Sequence, residues 1–502
     1  MSGHWTRRQL LAGAGTAAAA AAATGFGVAA CGRGDAARTM DLKVYRELQH
    51  FVTEPHLTPP KVALSYLGPR GPLQYLFLGV AQSGPGHGGA MIMDTDGQLI
   101  WFGPDSPHQS KMDFQCQTYQ GKPVLTWFQG QVVRGGHGEG VGVVADSSYR
   151  TIATIEAHDG LKVDLHDFVV TPRGTALVTA FRTLHPYDLR PVGGPKDGWL
   201  LSGFAQEIDI ATGELVFQWD SLDHVGLGET YLKYSGGRKS NKAQPYDYFH
   251  INSIADFDDE HLMIGARNTW CAYLVKRSTG EIVWRLNGKH SDFTMGPGAR
   301  FYWQHDTRWH GDGVFTVFDD GAAPKEEPQS RALVLNVDLD SMLVTLKRQY
   351  TNPGVPVLAH AMGNAQLLSD GGMFVGWGTN PYFSEFGPDG KPVLEGTLVK
   401  GDPTYRSFIG DWTGTPAYPP KAVAHRRGSG AVVYVSWNGA TEVASWQVLA
   451  GRTPGALDPV GVAAKRGFET AISVRSTGPH FAVQARDASG RPLATSATVE
   501  IA

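Results

Sequence analysis

Asp209-Ile210-Ala211-Thr212-Gly213-Glu214-Leu215-Val216-Phe217 holds the elements of a β-hairpin: a strand end, a tight turn carried by glycine, and a returning strand of alternating character. Nearly the same phrase stands at Lys276-Arg277-Ser278-Thr279-Gly280-Glu281-Ile282-Val283-Trp284 and at Asp94-Thr95-Asp96-Gly97-Gln98-Leu99-Ile100-Trp101. Weaker copies turn at Ser148, Ser341, Gly390, Gly439 and Gly490, so successive turns are 49 to 67 residues apart. That is the period of propeller blades rather than of sandwich hairpins. A second phrase precedes several of the turns: Leu165-His166-Asp167-Phe168, Phe249-His250-Ile251-Asn252, Trp303-Gln304-His305-Asp306 and Met362-Gly363-Asn364-Ala365. In a propeller the equivalent starts of inner strands converge on the central channel, which predicts His166, His250, His305 and Asn364 around one axis.

Composition agrees with this reading. Of 502 residues, 63 are Gly and 30 Pro, too many for long helices, and helical heptads are absent. With 42% apolar and only 18% charged residues the chain can bury a large core, which excludes disorder for most of it. The glycines follow no three-residue period, which excludes collagen. A formal net charge of −4 provides no general reason to bind nucleic acid or an anionic membrane. The rhythm runs unbroken from about Val62 to Trp446. The expectation is an all-β chain with a β-propeller at 61–450, of six blades with seven as the alternative. Residues 451–502 are expected to close the ring or to form a small appended sheet.

The N-terminus is of another kind. Arg7-Arg8 precedes an Ala- and Gly-rich run that ends Val28-Ala29-Ala30-Cys31. Paired arginines before a weakly apolar stretch resemble a twin-arginine export signal, and small residues before a cysteine resemble a lipobox. Residues 1–30 therefore read as a signal peptide, Cys31 as a lipidation site, and 31–60 as a tether. The expected location is the outer face of the cell membrane, held by a lipid anchor; a single spanning anchor is the alternative. The remaining cysteines, Cys116 and Cys271, are a possible disulfide or two buried thiols.

Three histidines from separate repeats admit three readings: hydrogen-bonded core residues, a three-His metal set with Asp167 and Asp306 behind it, or group transfer through a histidine. Group transfer also needs donors for the oxygens of the transferred group. His250 and Asn252 alternate on one face of a strand, and a hairpin would return Arg267, in Ala266-Arg267-Asn268-Thr269-Trp270, to the same end of the blade. Trp270, Trp303, Tyr248 and Phe249 are the aromatic candidates for lining an entrance. Glu139 and the run Gly135-Gly136-His137-Gly138 read by default as a glycine-rich turn.

The string Tyr246-Asp247-Tyr248-Phe249-His250-Ile251-Asn252-Ser253, with Ala266-Arg267-Asn268-Thr269-Trp270, Leu286-Asn287-Gly288-Lys289 and Trp303-Gln304-His305-Asp306, resembles the bacterial arylsulfotransferase family. The likeness is closest to its shorter, lipoprotein-type members. Glu327-Pro328-Gln329-Ser330-Arg331, Gly363-Asn364-Ala365-Gln366 and Val435-Ser436-Trp437-Asn438-Gly439 extend the resemblance over roughly 60 to 450.

The resemblance implies a propeller that moves a sulfuryl group from a phenol sulfate to a phenol acceptor through a sulfohistidine, with no nucleotide sulfate donor and no cofactor. It implies that His250, Asn252 and Arg267 hold the sulfuryl oxygens and that His166 is a further active-site histidine. His305 is then the nucleophile, with His360 as the alternative because the spacing after the His-x-Asn motif is short. Trp270, Trp303, Tyr248 and Asn364 are assigned to substrate binding. No Gly-x-x-x-x-Gly-Lys-Ser/Thr phosphate loop occurs. A non-catalytic exported propeller that binds a ligand or partner, and a metal-dependent hydrolase using the three histidines, are the competing classes.

Overall fold

The computed structural model describes residues 47–81, 85–234, 240–399 and 401–502; the expected export signal, Cys31 and the start of the expected tether lie outside them. Strands dominate, and the helical pieces are as short as Ser221–His224. Among the described residues six blades follow one another, each built outward from an inner strand. The inner strands are Thr404–Gly410 for blade 1, Ser110–Tyr119 for blade 2, Val163–Val170 for blade 3, Ile251–Asp256 for blade 4, His305–Trp309 for blade 5 and Asn364–Leu367 for blade 6. Blades 2 and 3 run on into one sheet through the single pair Gly140 and Val163.

The repeated hairpin phrase is the outer turn of each blade. It links Gly89–Asp94 to Leu99–Pro104 in blade 1, Gly198–Asp209 to Leu215–Asp220 in blade 3, and Cys271–Lys276 to Ile282–Asn287 in blade 4. Gly213 and Gly280 sit there at φ 74° and 75°, a left-handed conformation that disfavours a side chain.

Two pairings between opposite halves of the chain close the ring. The inner strand Thr404–Gly410 pairs with Tyr75–Val80, and Val62–Tyr66 is added to the outside of blade 6 against Pro392–Leu398. The axis is stitched as well. The Phe168 N–H donates to Asp113, the Ile254 N–H to Asp167 and the Ala365 N–H to Asp306, each from the blade following the carboxylate. Ser253 with Thr307 joins blades 4 and 5, Asn364 with Ser407 joins 6 and 1, and Arg406 with Asp113 joins 1 and 2. Every neighbouring pair of blades is thus tied by a buried polar contact near the centre, where an unpaired group would be costly.

Residues 421–500 form two further sheets, one of Lys421–Arg427, Gly430–Ser436 and Glu469–Val474, the other built around Ser445–Thr453 and His480–Arg486. They pack on each other through Val433, Trp446, Val448, Ile472 and Phe481. The C-terminal unit therefore takes in 421–450, which the turn rhythm had assigned to the ring. Gly490 turns a hairpin within this unit, where hairpin chemistry is the same as in a blade, and Gly439 turns the chain from one of its sheets to the other.

Cys116 and Cys271 are not bonded to each other; both are free. Cys116 lies on the inner strand of blade 2 and Cys271 opens the third strand of blade 4, so the whole of blade 3 separates their blades. Among the described residues no helix is long and apolar enough to cross a membrane.

Candidate active site

His166, His250 and His305 meet at the channel. One ring nitrogen from each lies within 4.8 Å of the others, and the His166 ring centre is 4.8 Å from that of His250 and 6.4 Å from that of His305. All three are buried. Each is held from behind by a carboxylate on Nδ1: Asp164 at 2.6 Å from His166, Asp320 at 2.7 Å from His305, and Asp247 against His250. Asp167 and Asp306 do not take that place, because their carboxylates are committed to Arg308, Arg406 and backbone N–H groups.

The His305 tautomer follows from its neighbours. The Met362 N–H lies 3.2 Å from Nε2 and can only donate, so Nε2 carries the lone pair and Nδ1 the proton directed at Asp320. Burial, and after it Arg267 and the other two histidines, push His305 well below the ordinary imidazole range. His250 is lowered too, burial outweighing the pull of Asp247. Burial alone would raise Asp164, but His166 and the Gly138 N–H outweigh it and hold the carboxyl at about 2. Asp320 goes the other way, raised well above the usual range by burial against the pull of Arg267. The two dyads therefore differ: Asp164 is ionised behind His166, whereas His305 is a neutral base whose Nε2 lone pair accepts from the Met362 N–H.

Arg267 lines the same cavity. Its Nη2 donates to the His360 carbonyl at 2.9 Å and its Nη1 to Asn268 at 3.0 Å, and the guanidinium lies 5.0 Å over the Trp303 ring. Its buried Nε has no hydrogen-bond partner in the protein. His360 is exposed; its carbonyl, not its ring, touches the site.

Other expected residues are set back. Asn252 is fully buried and donates Nδ2 to the Gln304 carbonyl at 2.7 Å, a link between blades 4 and 5. Tyr248 is not at an entrance: it is buried in the core between blades 3 and 4, beside Phe249 and Ile251. Asn364 is spent on the Ser407 backbone, and Trp303 supports Arg267 from below. Trp270 stacks on Tyr231 at 3.6 Å and stays partly exposed.

The backbone around the site is strained. His250, Trp270, Trp303, Asp306 and Met362 all have φ between 53° and 70°, unusual for residues with side chains and costing about 1–3 kcal/mol each. The cavity over the histidines measures about 30 Å³ and is bounded by Leu165, Met362 and Tyr405 among others. On that measure it has room for one or two water-sized groups, not for an aromatic ring.

The sequence profile of the family described as Arylsulfotransferase (ASST) matches residues 115–399, which runs from blade 2 to the last strand of blade 6 and contains all three histidines, their carboxylates and Arg267. No curated protein matches the chain. Among solved structures it is similar to a protein of unknown function from Bacteroides caccae, at 15% identity over 67% of this chain and 98% of that one, with a TM-score of 0.40. It is also similar to the β-propeller domain of Myceliophteria thermophila Cps50 (Swd1), at 10% identity over 62% and 95%, with a TM-score of 0.32. The matched profile covers more than half of the chain and its whole histidine centre, so the chain belongs to the arylsulfotransferase (ASST) family and is an arylsulfotransferase-like enzyme, with aryl sulfates and phenols as its substrate classes.

Proposed function

We propose that the histidine centre transfers a sulfuryl group between phenols through a covalent intermediate on His305. The observation that carries this reading is the buried guanidinium of Arg267 in the same cavity as a neutral, carboxylate-backed histidine. A fixed cation with an unpartnered N–H favours an anionic group over the histidines.

In the first step the His305 Nε2 lone pair attacks sulfur in line with the phenolic oxygen. The N–S bond forms, the S–O bond breaks, and the electron pair leaves on the phenolate oxygen. His166, with ionised Asp164 behind it, gives that oxygen a proton. In the second step the hydroxyl oxygen of an acceptor phenol attacks sulfur. Its proton passes to His166 and the N–S electrons return to His305. Arg267 holds the sulfuryl oxygens throughout, with His250 as a second donor. The Met362 N–H must give up Nε2 as sulfur arrives.

One observation favours a second reading. Three histidine nitrogens within 4.8 Å, each ring backed by a carboxylate, also suit a three-His metal hydrolase. The charge of Arg267 works against it. Incubating the purified soluble form with 4-nitrophenyl sulfate, with and without phenol and with and without a chelator, separates the two. Acceptor-dependent release that survives the chelator is expected; release that needs metal but no acceptor would favour hydrolysis. Because His305 is held neutral well below the usual imidazole range, the rate should not fall as pH drops from 7.5 past 6.5 on account of the nucleophile. An acid limb centred near 6.5 that vanishes in His305 variants would contradict that reading.

Export and lipid anchoring through Cys31 belong to the same proposal and put the activity outside the cytoplasm. Cys31→Ala should move the protein from the membrane fraction to the soluble exported fraction. An unchanged membrane fraction would reject the anchor.

A further inference from the structure

The 30 Å³ cavity is too small for the aromatic part of any substrate, so the ring must lie elsewhere. A larger depression of about 610 Å³ opens beside it. Phe181, which lines the larger depression, stands between it and the histidines. Its ring lies 5.1 Å from His137, which lines the larger depression, and 6.0 Å from both His166 and His250, which line the smaller cavity. A volume of this size is ordinary for a small-molecule pocket.

Its lining is one-sided in charge. Arg134, Lys162, Arg182 and Lys242 contribute to it, against the single carboxylate of Glu139. Arg182 is occupied, lying 4.6 Å over Phe204 and donating to the Asp159 carbonyl. Arg134, Lys162 and Lys242 are exposed and take part in no ion pair among the described residues. Phe181, Leu161 and Leu201 supply apolar surface between them.

His137 supplies the second, independent observation. It is 8% exposed, and its buried Nδ1 has no hydrogen-bond partner in the protein. Such an atom leaves the ring with hydrogen-bonding capacity that a water or a ligand can meet. The Gly135-Gly136 turn, with φ of 116° and 88°, folds the loop over this ring. The next residue, Gly138, donates its N–H to Asp164 at 2.5 Å, so the position of His137 is tied to the carboxylate behind His166.

We propose that this depression is a docking subsite for phenols carrying a second anionic group, a carboxylate or sulfate on the ring or its side chain. His137 meets the phenolic end near the histidine centre, Phe181 carries the ring, and Arg134, Lys162 and Lys242 pair with the distal anion. The proposal rests on the sulfuryl-transfer reading for its biological meaning, but the binding itself does not depend on turnover.

The test is equilibrium binding, by calorimetry, of 3-(4-hydroxyphenyl)propionate and its neutral counterpart 4-ethylphenol to the purified soluble protein. The acid should bind about tenfold more tightly at low ionic strength, the effect of two or three solvent-facing ion pairs, and the ratio should collapse towards one at high salt. In the Lys162→Gln/Lys242→Gln double variant the ratio should fall to about twofold, because surface charges act additively at such separations. Equal affinities in the wild type, an acid preference that survives the double variant, or no binding of either phenol would overturn the proposal. A 4-nitrophenyl sulfate assay with the same two acceptors keeps the readings apart. Acid preference in binding without any transfer would reject the sulfuryl-transfer chemistry and leave the subsite standing.

Discussion

Replacing His305 with Asn is expected to lower acceptor-dependent sulfuryl transfer by about 10⁴-fold or more, the scale seen when a covalent nucleophile is removed. The loss should fall on kcat, since Arg267, His166 and His250 remain to bind the donor. Asparagine is preferred to alanine because its amide nitrogen takes the place of Nδ1 and can still donate to Asp320, a carboxyl that is fully buried and already raised well above its usual range. Removing every partner from it would add a folding defect to a chemical one. Unchanged circular dichroism and an unchanged unfolding midpoint, beside a lost rate, would assign the effect to chemistry. A variant that keeps a rate within tenfold of wild type would remove His305 from the reaction path.

The second large effect is structural. Arg406 is completely buried at the axis and contacts Asp113 at 3.1 Å and Asp167 at 2.7 Å, both also fully buried, with Asp306 at 3.8 Å. It also donates to the Asn252 carbonyl, so a residue of the closing strand reaches blades 2, 3, 4 and 5. Arg406→Leu leaves Asp113 without its main counter-charge and Asp167 with Arg308 alone, and should cost about 3–5 kcal/mol, a large share of a typical domain's stability. The unfolding midpoint in urea measures it.

The pH dependence of this loss has a definite sign. Burial already raises Asp113 to about 7 with Arg406 present, so its folded value exceeds its unfolded one. Stability from such a group is full at low pH and lost as pH rises through the folded value. Without the guanidinium that value climbs further, and the deficit relative to wild type should shrink between pH 8 and pH 6. A deficit below about 1 kcal/mol, or one that grows on acidification, would mean that the axial network does not hold the ring as described.

The six outer hairpins were legible because each is a local event: a glycine or serine turn between an apolar strand and its return. The same property explains the misplaced boundary. Gly490 closes a hairpin in the C-terminal sheets and Gly439 turns the chain from one of those sheets to the other, and nothing local tells either from the hairpin of a blade. The pairing of Thr404–Gly410 with Tyr75–Val80, which decides where the ring ends, spans more than 300 residues and leaves no short-range trace.

At the site, the repeated inner-strand phrase brought out His166, His250 and His305, because equivalent positions in repeats become neighbours at the axis. Two of their carboxylates had a signal within reach. Asp164 lies two residues before His166 on the same strand face, and Asp247 three residues before His250. Asp320 lies fifteen residues beyond His305, just past the end of the next strand, and only the folded blade joins them. Tyr248 and Asn364 misled because an aromatic or amide beside a catalytic motif reads the same whether it faces the channel or the neighbouring blade. His137 lay in a glycine-rich run that looked like an ordinary turn, and only its burial sets it apart.

The central claim is that His305 carries the sulfuryl group. Its most direct test is mass spectrometry after mixing the protein with 4-nitrophenyl sulfate in the absence of acceptor, with alkaline quench and trypsin digestion. The peptide 301–308 contains His305 as its sole histidine. It should gain the mass of one SO₃ group, and that mass should disappear when phenol is added before the quench. The same gain on the peptide carrying His166 or His250, or none on any histidine while transfer proceeds, would contradict the assignment.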